Sequence, residues 1–335
     1  MDQSDFCTPP MVAIHWAPQL MVGMMRSFHW IVAGVVLAGS AAKAEDCALK
    51  RVAQFDMDLH GGTPVIEVML NGKPAKMVVD TGAAWSGVSA PVAESLHTKR
   101  VDGVTLEGAG GGALHQVVIV PEFDLGPVKQ MNFQFIVNKP GPSDDAGIAG
   151  QIGANILQKF DVELDYRGRK VVLYSPDHCP GRVISWPHDT FARLPFDRSY
   201  SGRIVVPATL DGHSLKALID TGASESFAED RLASGLFSLR PDSPGVEPAG
   251  TAYGMDGKPL TLYRHRFETL ELDELKFPHP QITFYCGKSE GNDICVGVGC
   301  ETDADYDLLL GARHLRALHL YIAYRERAVY ATTAN

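Results

Sequence analysis

The chain has no run of lysines or arginines, and its 335 residues carry a formal charge of −10. Phosphate backbones are held by clustered cations, so nucleic-acid binding is set aside. No C-x-x-C pair occurs, and no histidine lies near the cluster Cys286, Cys295 and Cys300. That speaks against a zinc site, and no metal is expected. No long amphipathic helical pattern stands out, so the periodicity leaves strands to build the core. Charge is modest at 21% against 45% hydrophobic residues, which reads as globular rather than disordered. The length suits two domains of ordinary size.

Long hydrophobic runs are also scarce. The best, "FHWIVAGVVLAGSAA", follows Arg26 and ends at Ala42-Lys43-Ala44. It is short for a membrane span. A basic start, a short apolar stretch and an A-x-A site read as an export signal cleaved after Ala44. Asp2 and Asp5 do not suit a signal peptide, so translation is expected to start at Met21, Met24 or Met25. An uncleaved N-terminal anchor is the alternative. Cleavage removes Cys7 and leaves Cys47, Cys179, Cys286, Cys295 and Cys300. Disulfides are expected in an oxidising compartment. Cys47 and Cys179 flank the first half and would tie its ends together. The pairing of the other three cannot be read from sequence, and an odd count leaves one thiol over.

What the chain does contain is a repeat. Leu70-Asn71-Gly72 lies 140 residues before Leu210-Asp211-Gly212, and the same offset relates Asp80 to Asp220. Asn-Gly and Asp-Gly between apolar runs predict tight hairpins, because both turn residues need positive φ. Each hairpin runs straight into Asp-Thr-Gly-Ala. Further on, "IGANILQKFDVELDYRGRKVVLY" from Ile152 matches "LGARHLRALHLYIAYRERAVY" from Leu310. A short helix is predicted after each glycine, at "ANIL" and "ARHL". A hairpin near Tyr166-Arg167-Gly168 or Tyr324-Arg325-Glu326 is expected to close each half. The second offset is longer by about 18 residues, which marks an insertion near 286–300. The expected layout is a leader over 1–44, lobe one over 45–176, a Pro/Gly-rich linker over 177–190 and lobe two over 191–335.

A carboxylate at the end of an apolar strand costs free energy unless something holds it. Glycine permits a tight turn whose N–H groups point at the carboxylate, and threonine offers a hydroxyl to a symmetric partner. Two such turns facing each other would bring two carboxyls together. Like charges that close cannot both ionise, so one proton is shared, giving one acid and one base on either side of a water.

Asp80-Thr81-Gly82-Ala83 and Asp220-Thr221-Gly222-Ala223 resemble the active-site turns of aspartic proteases. The DTGA form and small lobes resemble the retropepsin-like branch, including its bacterial members. Leu309-Leu310-Gly311 matches the family's hydrophobic-hydrophobic-Gly element, and Gln151-Ile152-Gly153 matches it in part. The resemblance covers most of residues 50–333. It implies an all-β fold of two acid-protease β-barrel lobes related by internal duplication. Asp80 and Asp220 would be the catalytic pair, with Thr81, Gly82, Thr221 and Gly222 supporting the turns. Gly108, Gly110, Gly111 and Gly112 lie where the family has its flap, and Tyr253 and Gly254 take the corresponding place in lobe two. Ala84 departs from the family pattern, where many relatives carry Ser, Thr or Asp, as Ser224 does here.

Other motifs lose to plainer readings. "GAGGGA" from Gly108 fits a dinucleotide fingerprint but precedes a strand rather than a helix. "GKSEG" from Gly287 fits a nucleophile elbow but no helix follows. His314 and His319 have the wrong spacing for a helical metal pair and are expected to be surface or packing residues. Trp85 is expected in the core, with a cleft wall as the alternative. The expected function is an aspartic endopeptidase, exported to a bacterial periplasm or secreted. A polypeptide would be its substrate, no cofactor is needed, and the lobes would pair within one monomer. Activity is expected to favour acid pH. A protease-like fold that binds peptides or partners without cutting is the alternative, as is pairing of lobes between chains.

Overall fold

The computed structural model describes residues 48–108, 111–138, 147–188, 190–198, 202–228, 231–253, 259–289, 292–294 and 306–334. The leader, Cys47, Gly110, Gly254, Cys295 and Cys300 lie outside them.

The two turns form as their residue types dictate. Asn71 and Gly72 have φ of 50° and 73°, and Asp211 and Gly212 have 46° and 79°. Leu70 pairs with Lys73 and Leu210 with His213, so each hairpin is tight. Within Thr63–Leu70, Val65, Ile66, Val68 and Leu70 are buried while Glu67 is exposed.

Each hairpin's second strand then meets a short parallel strand from much later in its half. Val79 pairs with Ile152 and Ile219 with Leu310. These parallel pairings drive both Asp-Thr-Gly turns inward. In the first lobe, Thr63–Leu70 pairs with both Lys73–Val79 and Gly111–Leu125, which closes a ring of six strands. In the second lobe the counterpart of Gly111–Leu125 is broken at Phe267-Glu268 into Pro259–Arg266 and Thr269–Leu272. Ile204–Leu210 pairs only with the second piece, so this ring stays a half-barrel. The fold is all-β with two lobes, as the resemblance implies. "ANIL" and "ARHL" are the short helices Ala154–Leu157 and Ala312–Leu315.

One expectation is corrected. The hairpins at Tyr166 and Tyr324 do not close their own halves. They join each other, Asp161–Asp165 lying antiparallel to Leu318–Ala323 with Leu164 opposite Leu320. Arg51–Asp56, Lys170–Tyr174, Ala328–Thr333 and Ala192–Pro195 complete a six-stranded sheet drawn from both halves. The reason is burial on both faces. Val162, Leu164, Leu320 and Ile322 enter the main core, while Tyr321, Ala323, Ala328 and Tyr330 on the reverse pack under Val183, Ile184 and Trp186. A hairpin apolar on both sides cannot remain a solvated edge.

The segment expected as a linker therefore covers a sheet. It is also stitched down by buried polar groups. His178 bonds the Asp161 carboxylate through Nε2, and Asp161 Oδ1 accepts the Tyr324 N–H at 3.0 Å. Trp186 stacks on His319 with centroids 3.7 Å apart and donates to Thr332 Oγ1. His319 in turn meets Glu163 at 2.8 Å. The segment expected as an insertion opens as a hairpin, Gln281–Ser289 against Asn292–Ile294. Gly287 and Ser289 thus continue a strand that turns back, not a strand-to-helix elbow. Among the described residues no helix is long and apolar enough to cross a membrane.

Candidate active site

Each aspartate is fixed first by its own strand end. Asp80 N–H donates to Ile152 O and Asp220 N–H to Leu310 O, both at 3.0 Å. Each carboxylate then folds back on its own turn. Asp80 Oδ1 accepts the N–H groups of Gly82 and Ala83 at 2.9 Å. Asp220 Oδ1 accepts those of Gly222 and Ala223 at 2.9 and 3.1 Å.

The threonines cross between the turns. Thr81 Oγ1 donates to Ile219 O at 2.6 Å and accepts the Thr221 N–H at 3.1 Å. Thr221 Oγ1 donates to Val79 O at 2.5 Å and accepts the Thr81 N–H at 3.1 Å. Both side chains are fully buried. Each hydroxyl is thus a donor and an acceptor in a closed four-bond clasp, with no polar atom left over.

The clasp sets the two carboxyls face to face. A methyl group on Gly82 would overlap the Asp220 carboxylate, and one on Gly222 would overlap that of Asp80. Only glycine leaves room for the opposite carboxyl. Burial raises both acids above the ordinary aspartate range. At Asp80 the charge of Asp220 adds to burial and outweighs its two backbone N–H bonds, pushing it up to about 8. At Asp220 burial again dominates, but the N–H groups of Gly222 and Ala223, a hydrogen bond with Asp80 and the cation of Arg203 all pull downward. Two acids raised together at such close approach hold one proton between them.

Behind each turn lies a serine that the sequence reading missed. Ser86 Oγ accepts the Gly153 N–H at 2.9 Å and donates to Asn155 Oδ1 at 2.8 Å. Ser226 Oγ accepts the Gly311 N–H at 2.9 Å and meets His314 Nδ1 at 2.7 Å. Burial lowers His314 to about 4. The ring is then neutral and the serine hydroxyl donates to it. His314 is a buried buttress rather than a surface residue. The two serines share the 140-residue offset of the aspartates, which is the signal that could have found them. Gly153 and Gly311 are required for the same contact, since a methyl on either would strike the turn backbone, at Trp85 and Ala83 or at Glu225 and Ala223.

Ala84 and Ser224 differ in surroundings as well as chemistry. Ser224 Oγ sits 2.8 Å from where a Cβ on Gly61 would lie, so its hydroxyl rests on the opposite lobe. Trp85 is 39% exposed, which overturns the expectation of a core residue. Gly108 and Gly111 pair at the end of the hairpin Arg100–Gly108 with Gly111–Leu125, and Gly112 pairs with Glu107. Tyr253 pairs with Pro259 in the second lobe's hairpin. Among the described residues no group of three or more His, Cys, Asp or Glu could hold a metal.

A family model described as aspartyl protease matches residues 66–156 and again 206–311, one match per lobe. The chain belongs to the aspartyl protease family. Its retropepsin-like character follows from the paired matches on two small lobes. Among curated proteins none gives a significant match. Both family segments of this aspartyl protease begin inside the hairpin's first strand and run to the short helix or the glycine before it, so they enclose both turns and both buttressing glycines.

Proposed function

We propose that the protein is an aspartic endopeptidase in which Asp80 and Asp220 form one shared-proton dyad. The observation that carries this reading is the mutual approach of each carboxyl to the glycine of the other turn. Asp220, charged, takes a proton from the attacking water. Asp80, protonated, delivers its proton to the oxygen of the scissile carbonyl. The tetrahedral intermediate then collapses as Asp220 passes its proton to the leaving nitrogen and Asp80 recovers one from a hydroxyl of the intermediate. The fixed N–H groups on each Oδ1 hold both carboxyls in place, so little reorganisation is needed during reaction. An extended peptide would lie across the cleft under the glycine hairpin at Gly108 and Gly111, with Tyr253 on the opposing side. Main-chain bonds supply affinity and side-chain pockets specificity. The enzyme acts as a monomer with both lobes in one chain, is exported to the periplasm or secreted, and needs no cofactor.

The pH window follows from the two acids. Rate falls when Asp220 gains a proton, at a value raised above the ordinary aspartate range. It falls again when Asp80 loses its proton, near about 8. Activity should therefore extend from mildly acid to neutral pH, higher than the shared proton alone suggests. Asp80→Asn and Asp220→Asn, each assayed on denatured protein at several pH values, should lose about 10²–10⁴ in rate. Unchanged cleavage by either variant would remove the dyad. A wild type that binds peptides but never cuts them would favour a silent binding protein on the same fold.

A further inference from the structure

The two lobes match in backbone but not in charge. Val205 pairs with Leu218, and continuing that register by two residues sets Arg203 opposite Asp220. Val65 pairs with Val78, and the same continuation sets Thr63 opposite Asp80. Residues opposite each other on neighbouring strands bring their side chains within mutual reach. Thr63 is neutral and uses its hydroxyl on His60 O at 2.6 Å. The Arg203 guanidinium lies over the Tyr306 ring, 5.7 Å from its centroid, which holds it at this edge of the second lobe. The adjoining Gly202 rests on Ala154 and Gln158 of the first lobe, so the segment is fixed on both sides.

We propose that Arg203 is a positioning residue for the dyad: its cation holds the negative charge on Asp220 and so leaves the shared proton on Asp80. The assignment rests on reading the two aspartates as a dyad. Asp220 is faced by Asp80 from the first turn, by Tyr166 from the hairpin of the six-stranded sheet and by Arg203 from the adjoining strand. Tyr166 is a buried phenol held neutral by burial and by the Asp220 charge. Behind the turn, Arg313 is paired to Glu225 and His314 is neutral. Coulomb attraction between Arg203 and Asp220 acts in the same direction as the register. The turn N–H groups pull on both aspartates alike, and Arg203 adds a further pull on Asp220 that the first lobe, with Thr63 in that place, does not reproduce.

The test is the titration of the dyad in full-length protein labelled with ¹³C at the aspartate carboxyls, for the wild type, Arg203→Gln and Arg203→Lys. Asp80→Asn and Asp220→Asn assign the signals. The lower step should belong to Asp220, move to higher pH in Arg203→Gln and return toward the wild-type value in Arg203→Lys. The acid limb of kcat/KM should move with it. A lower step that stays put in Arg203→Gln, or that belongs to Asp80, overturns the proposal. Two independent titrations at ordinary aspartate values overturn the dyad and this assignment together. A lower step that moves as expected in a protein that cuts no peptide supports the role of Arg203 while rejecting the endopeptidase reading.

Discussion

Gly222 shows how little latitude the site allows. Its missing side chain is the space that the Asp80 carboxyl occupies. Gly222→Ala should abolish peptide cleavage and destabilise the fold by about 1–3 kcal/mol through overpacking. Chemical denaturation and a cleavage assay on the same preparation check both. Retained activity would mean that the carboxyls do not meet over the glycines. At this scale much was legible in the sequence. Asp80, Thr81, Gly82 and their repeats announce themselves, because a charge ending an apolar strand demands an explanation and two such endings demand a common one. The serines and Arg203 were less visible. Ser86 and Ser226 follow Asp80 and Asp220 by six residues and carry no motif of their own. Arg203 looks like an ordinary strand-leading residue until the Asp211-Gly212 hairpin is folded and its register counted back.

The six-stranded sheet holds the features that sequence could not supply. Its hairpins were visible as apolar runs around Tyr166 and Tyr324, but strand pairing is a choice among partners far apart in the chain. Alternation marks which residues are buried, and it does not say against what. The covering segment adds a pH dependence of its own. Burial alone would lower His178, but its hydrogen bond with Asp161 overrides this and raises it. Asp161 is raised as well, by burial. A group raised on folding stabilises fully below its unfolded value and loses that contribution as pH climbs through its folded value. Docking of residues 177–190 should therefore be firmest at acid pH and weaken above neutrality. His178→Gln should lower stability by about 3–5 kcal/mol at pH 5, as expected when one partner of a buried pair is lost. It should also flatten the fall in melting temperature between pH 6 and 9. Thermal melts across that range decide the matter, and a slope unchanged from wild type would rule out the pair as its source.

On the scale of the whole molecule, the halves are held by more than their connection. The threonine clasp, the paired strands Asp161–Asp165 and Leu318–Ala323, and a core cluster spanning both lobes all cross between them. A specific protease site inserted after the exposed His188, then cut, should leave a complex that elutes at the size of one intact chain and still cleaves peptide. Separation into two half-sized species on size exclusion would show that the connection itself holds the halves. The two-lobe plan was legible from the repeat. The shared sheet was not, because nothing local distinguishes a hairpin that closes its own half from one that reaches for the other.

The shared sheet also sets a timetable. During synthesis Asp80 leaves the ribosome early, but its partner Asp220 comes 140 residues later, and Leu318–Ala323 must follow before Asp161–Asp165 gains its neighbour. At about 5–20 residues per second, roughly ten to fifty seconds separate Asp80 from the strand that completes the frame. Until Asp220 emerges the nascent chain carries one carboxyl without its counterpart, and until Leu318–Ala323 emerges the frame around both is unfinished. On the endopeptidase reading proposed above, the topology thus delays hydrolytic competence until Leu318–Ala323 has been made.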